Sequence, residues 1–234
     1  MKIVSLHPWD VSPDEAIRIQ NRLRGLVSVE NAPGRDAVRT VAGVDVSIHD
    51  DQCRAAVVML SYPDLAVIGS SVVRRPVTFP YIPGLLSFRE GPAVLDACAA
   101  LETTPDLLIF DGQGLAHPRR FGIASHLGVI LDRPSIGCAK SLLCGQYEEP
   151  APAAGSTTDL VDHGEVIGRT VRTRDGVAPV FVSVGHRVDL DTAVRWVLAC
   201  CRGYRLPETT RWAHRVAGEW EQAQEASVQQ LTLF

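Results

Sequence analysis

Apolar residues first recur at helical spacing, turn to β-branched runs from Thr40, and from residue 91 alternate between helical and extended patterns. "SPDEAIRIQNRLRGLV" opens on a capping Ser with acids in the first turn and repeats Ala16, Ile19, Leu23 and Leu26, which predicts a leading helix. "TVAGVDVSI", "CRAAVVMLSY" and "AVIGSSVVRRPV", separated by "HDDQ" and "PDL", predict three strands in an antiparallel meander. "GPAVLDACAALE" is helical, "DLLIF" is a short strand apolar on both faces, "FGIASHLGVILD" is helical and "PSIGCAKS" is extended. Alternating strand and helix implies parallel pairing in the same sheet. "EEPAPAAGSTTDLVDHG" reads as a surface loop, and "EVIGRTVRTRDGVAPVFVSVG" as a hairpin with an Asp-Gly turn. Two helices follow, near 189 to 202 and 207 to 224.

The pattern therefore predicts an α/β chain with a mixed sheet, antiparallel meander plus parallel strands, flanked by helices. At 234 residues and 46% hydrophobic, one sizeable core is expected, within a domain spanning 1–224 and followed by a flexible tail at 225–234. A formal net charge of −4 argues against indiscriminate coating of DNA, so a nucleic-acid partner must meet a local basic surface. "MKIVSLHPWD" lacks a signal peptide's apolar stretch and no window approaches a membrane span, which points to a cytoplasmic protein without membrane contact. Cys53, Cys98, Cys138, Cys144, Cys200 and Cys201 show no Cys-x-x-Cys pairing and read as small buried thiols.

Candidate chemistry begins with acids at strand ends. Asp45 sits between valines in "GVDVS", Asp111 ends the apolar "LLIF" run, and Glu90 lies in "SFREGP" where the next helix begins. A buried unpaired carboxylate is costly, and three such groups converging on one end of a sheet would suit a hard cation such as Mg²⁺. Either Asp taken alone is better read as an ordinary capping or turn residue. The glycines of "FDGQG" allow a backbone to approach a ligand closely. His117, His126, His186 and His214 are general acid or base candidates, with His126, on an apolar face, better read as a structural hydrogen bonder. Lys140, at a strand end, would sit beside a phosphate or be solvated.

Several stretches together resemble endonuclease V, the deoxyinosine-directed repair nuclease with a ribonuclease H-like fold. They are "GVDVS" (43–47), "PYIPGLLSFREGP" (80–92), "DGQGLAHPRRFGIASHLG" (111–128), "GCAKS" (137–141), "GEVIGRTVRTRDGVAPVFVSVGHRVDL" (164–190) and "GYRLPETTRWAH" (203–214). The resemblance implies that Asp45 and Asp111 are principal Mg²⁺ ligands, with Glu90 completing the cluster and His214 beside the metal; Mn²⁺ would substitute. It makes Pro80, Tyr81, Ile82 and Pro83 a wedge entering the DNA, and Gly84, Leu86, Gly112, Gly114 and Ile123 the pocket for the flipped base. Lys140 and His117 would contact the strand near the scissile phosphate, the second 3′ to the lesion. Arg74, Arg75, Arg119, Arg120, Arg169, Arg172 and Arg174 would supply the local basic surface, or be ordinary solvated residues.

The implied partner is inosine-containing DNA, with inosine in RNA as an alternative within the fold and a noncatalytic nucleic-acid-binding module as an alternative outside the enzyme class. The expected state is a monomer. The last residues, "QLTLF", place Gln230, Leu231, Leu233 and Phe234 together and resemble the short motif by which repair enzymes dock on the replicative sliding clamp. Packing of this tail on its own domain is the other reading.

Overall fold

The computed structural model describes residues 1–32 and 38–219. Helix α1 (Pro13–Leu23) starts where expected: Ser12 Oγ accepts the Glu15 N–H at 3.3 Å, Asp14 and Glu15 occupy the first turn, and Arg22 the last. Its buried stripe is Ala16, Ile19, Gln20 and Leu23, so a glutamine occupies a core position. The meander follows as β1 (Thr40–His49), β2 (Gln52–Ser61) and β3 (Val67–Pro76), paired antiparallel in that order.

Helix α2 (Leu86–Ala100) begins five residues before the predicted start and carries Pro92 inside it, so Glu90 is fully helical. "GP" reads as a helix start, because an interior proline costs about 3 kcal/mol. Burial of Phe88 and of Leu95, on either side of the proline, accompanies the unbroken helix. After it come β4 (Leu107–Phe110), α3 (Ile123–Leu131) and β5 (Ser135–Ala139). Strands β1, β4 and β5 lie side by side and parallel, as the alternation predicts.

The remaining strands are β6 (Gln146–Tyr147), β7 (Thr157–Asp162), β8 (Glu165–Val171) and β9 (Val180–His186). The expected surface loop at 148–164 thus contains β7, a strand with one fully buried residue of six, Leu160, and so no hydrophobic run to betray it. The tight turn is His163–Gly164 between β7 and β8, both at positive φ (53° and 80°). Asp175 and Gly176 lie instead in the longer connection from β8 to β9. Helices α4 (Leu190–Ala199) and α5 (Glu208–Gly218) complete the described chain.

The nine strands among the described residues form one mixed sheet, ordered β3-β2-β1-β4-β5-β9-β8-β7-β6. On one face Ala42, Val44, Leu108 and Phe110 pack with α2 and α3 through Val94, Cys98, Leu127 and Ile130. On the other, Val41, Leu107, Ile109 and Val182 meet Ala193 and Val197 of α4 and, more peripherally, Trp212 of α5. A third cluster joins α1 to Phe79, Phe88 and Phe121. All six cysteines are free, four of them buried, and burial pushes the Cys53, Cys98 and Cys200 thiols up to about 12. Among the described residues no helix is long and apolar enough to cross a membrane. Gln230, Leu231, Leu233 and Phe234 lie outside the described residues.

Candidate active site

The parallel register of β1 on β4 pairs Val44 with Phe110, so the next residue on each strand, Asp45 and Asp111, emerges at the same edge. The Asp111 N–H donates to the Val44 carbonyl at 2.9 Å and continues the ladder by one bond. Lys140 leaves the neighbouring end of β5 and ion-pairs with Asp111 Oδ2. From the helical layer, α5 brings His214 Nδ1 to 2.7 Å from Asp45 Oδ2, while Asp45 Oδ1 accepts the Val46 N–H at 2.8 Å. One donor atom from each of Asp45, Asp111 and His214 lies within 4.8 Å of the others, a set able to hold a metal ion. Glu90 reaches the same space from α2. Burial first, and then the Asp45 charge, push its carboxyl up to about 8. Burial and the Asp111 charge likewise raise Asp45, with His214 opposing them. The cluster is thus short of positive charge, and its donor set fits a divalent cation.

These groups open into a cavity of about 350 Å³, within the range of ligand clefts. Gly84, Leu86, Gly112 and Ile123 line it, together with Tyr81, Ile82 and Pro83. Tyr81 is 70% exposed at the rim, and Pro80 and Pro83 are also exposed, so the Pro80–Pro83 segment projects from the surface. Gly84 follows at φ +80°, a conformation that L side chains rarely adopt. Its carbonyl oxygen accepts from Gln20 Nε2 at 3.0 Å, His117 Nε2 at 2.9 Å and Arg119 Nη2 at 2.7 Å, which pins the base of the projection.

The endonuclease V family model matches residues 21–215. The chain belongs to the endonuclease V family. Endonuclease V of Roseiflexus sp. (strain RS-1) is 58% identical over 210 residues, 90% of this chain and 94% of its own. The crystal structure of endonuclease V from Streptomyces avermitilis superposes with a TM-score of 0.87 at 43% identity, covering 97% of this chain and all (100%) of the other. Ciona intestinalis endonuclease V, solved in complex with a 24mer DNA containing an inosine followed by a ribo-adenosine, gives 0.74 at 27% identity, over 92% and 98% of the two chains.

Within this family member Gly114 sits differently from expectation, and His117, although it lines the cavity, has both ring nitrogens engaged within the protein. Gly114 packs against β9 rather than lining the cavity: its N–H donates to Ser183 Oγ at 2.9 Å, and a Cβ there would overlap the Val184 carbonyl oxygen. His117 is 3% exposed, donates to Gly84 through Nε2 and accepts the Arg119 N–H at Nδ1, 3.1 Å away. With both nitrogens occupied and burial driving its pKa down to about 4, it is a neutral tether of the Gly84 turn. The expected basic surface is also largely spent on internal partners. Arg75 pairs with Asp96, Arg120 with Asp162 and Glu165, and Arg169 with Asp159. Arg119 holds Gln20 and Gly84, and Arg172, 7% exposed, holds Glu149 and backbone carbonyls.

Sequence reasoning passed over Gln20, Ser87 and Gln113, all of which line the cavity. Gln20 carried a signal, a polar residue on the apolar stripe of α1. Its amide also donates to the Phe121 carbonyl at 3.1 Å, tying the leading helix to the segment before α3.

Proposed function

We propose that this protein is a DNA repair endonuclease that extrudes deoxyinosine from the strand and hydrolyses the second phosphodiester 3′ to it, with Mg²⁺ as cofactor and Mn²⁺ able to substitute. The observation that carries this is the sharing of one cavity by the acidic cluster and the Tyr81–Gly84 turn. A base displaced into the cavity leaves a gap in the stack that the exposed Tyr81 ring, bracketed by Pro80 and Pro83, is placed to fill. Leu86, Gly112 and Ile123 leave the base an apolar slot in which main-chain groups are within reach. The complex of the Ciona intestinalis relative with inosine-containing DNA supports the same substrate here.

Asp45 and Asp111, with Glu90 completing the shell, would hold the cation, which when bound supplies an activated water and offsets charge at the phosphate. His214, hydrogen-bonded to Asp45, orients that carboxylate and is placed to pass a proton at the exposed rim. Lys140, which ion-pairs with Asp111 Oδ2 at the mouth of the same cluster, would meet a phosphate oxygen there.

The test is single-strand oligonucleotides carrying one inosine, as matched DNA and RNA, with Mg²⁺ and with EDTA. DNA nicking that needs Mg²⁺ is expected, with Asp45→Ala and Asp111→Ala each reducing it at least about 100-fold, more than loss of an outer-shell partner does, while inosine binding persists. Faster cleavage of the RNA strand would move the assignment to an inosine ribonuclease. Binding without any cleavage would make it a noncatalytic module.

A further inference from the structure

Ser87, the second residue of α2, is 1% exposed and lines the cavity, and its hydroxyl ends a chain of buried imidazoles. Ser87 Oγ lies 2.8 Å from His126 Nδ1, His126 Nε2 lies 2.7 Å from His7 Nε2, and His7 Nδ1 lies 2.7 Å from the Pro8 carbonyl oxygen. His126 is fully buried and stacks on Trp9, ring centroids 5.3 Å apart, with Phe88 and Phe121 against its other sides. Burial lowers the pKa of both histidines, so each ring carries one proton near neutrality.

The direction of every bond then follows from its far end. A carbonyl oxygen only accepts, so His7 holds its proton on Nδ1 and offers Nε2 as an acceptor. His126 must donate from Nε2 and accept at Nδ1. Ser87 must therefore give its hydroxyl hydrogen to His126, which leaves its oxygen able only to accept. The base of an inosine nucleotide has a single N–H, at N1, whereas adenine presents a bare acceptor nitrogen at that position.

Taking the cavity as the base pocket, as above, we propose that Ser87 is a specificity-determining residue. Held as a pure acceptor by His126 and His7, it takes the N1–H of extruded hypoxanthine and repels a base with a lone pair at N1. His7 and His126 are positioning residues that set the hydroxyl's direction. Phenylalanine at position 7 would keep the aromatic packing but remove the acceptor for His126 Nε2. The His126 proton is then free to move to Nδ1, and the Ser87 hydroxyl turns towards the cavity as a donor.

The test is fluorescence anisotropy in EDTA, so that affinity is read without turnover, on single-strand DNA holding deoxyinosine, deoxyadenosine or the unsubstituted purine deoxyriboside, which lacks N1–H. Ser87→Ala should lose about tenfold affinity for inosine DNA and none for the purine strand, the size expected of one hydrogen bond. His7→Phe should move the inosine-to-purine ratio the same way, chiefly by tighter binding of the purine strand. A purely structural role would lower all three affinities together or lower only the melting temperature, and that result overturns the proposal. If His7→Phe does not fold, an unchanged ratio in Ser87→Ala is sufficient to reject it. A wild-type protein with no preference for inosine would instead sink the nuclease reading beneath it.

Discussion

His117 shows burial turning a titratable ring into a fixed strut. Its two nitrogens bind the Gly84 carbonyl and the Arg119 amide, and desolvation brings its pKa from 6.5 to about 4. Between those values the unfolded chain binds a proton that the native ring refuses, so stability is fully present above pH 6.5 and is lost as pH falls towards 4. At 1.36 kcal/mol per pH unit the loss amounts to about 3 kcal/mol. His117→Gln keeps one donor and one acceptor without the proton site. Its urea-unfolding stability should therefore decline less between pH 6.5 and 4, by about that amount, and a pH dependence equal to wild type would show that the ring is not the source. The acids at 45 and 111 were legible because a carboxylate among apolar strand residues demands a partner. His117 and Gly114 were not, because a motif string specifies neighbours along the chain and not which side of the backbone each side chain takes.

At the scale of elements, the site depends on how closely α5 lies on β1. Gly43, two residues before Asp45, has no room for a Cβ because the Thr209 carbonyl of α5 occupies that space. The same approach brings His214 to Asp45. Gly43→Ala should push the helix outward at an overpacking cost of about 1–3 kcal/mol, a fall in Tm of roughly 3–10 °C for a chain of this size. Nicking should fall with it as the His214–Asp45 bond lengthens, and a variant with unchanged melting and unchanged cleavage would show the contact to be slack. The strands that carry the acids were readable from β-branched and apolar runs, because both faces are covered. Strand β7 was not, since a strand with a single buried apolar residue, Leu160, and acids at 159 and 162 resembles a loop. The early start of α2 was hidden by Pro92, and it is that extra turn which makes Glu90 helical.

For the whole molecule the proposed function raises the question of how a chain of net charge −4 would hold a polyanion. At least five of the seven arginines expected to form a basic surface, Arg75, Arg119, Arg120, Arg169 and Arg172, are committed to internal partners, and Lys140 is shared with Asp111. A protein that binds through many phosphate contacts releases many counterions, and the logarithm of its affinity falls by about 0.7 per neutralised phosphate for each logarithmic step of salt on single strands. Under the proposed function recognition falls on a cavity and an exposed aromatic wedge, so two to four phosphate contacts are the expectation, giving a slope of roughly −1.5 to −3. Titrating inosine single-strand DNA from low to moderate KCl in EDTA measures it directly. A slope steeper than about −5 would mean that a basic surface, not the cavity, carries the affinity. On the shallow slope, Tyr81→Ala should weaken inosine binding without altering the salt dependence, because stacking releases no counterions.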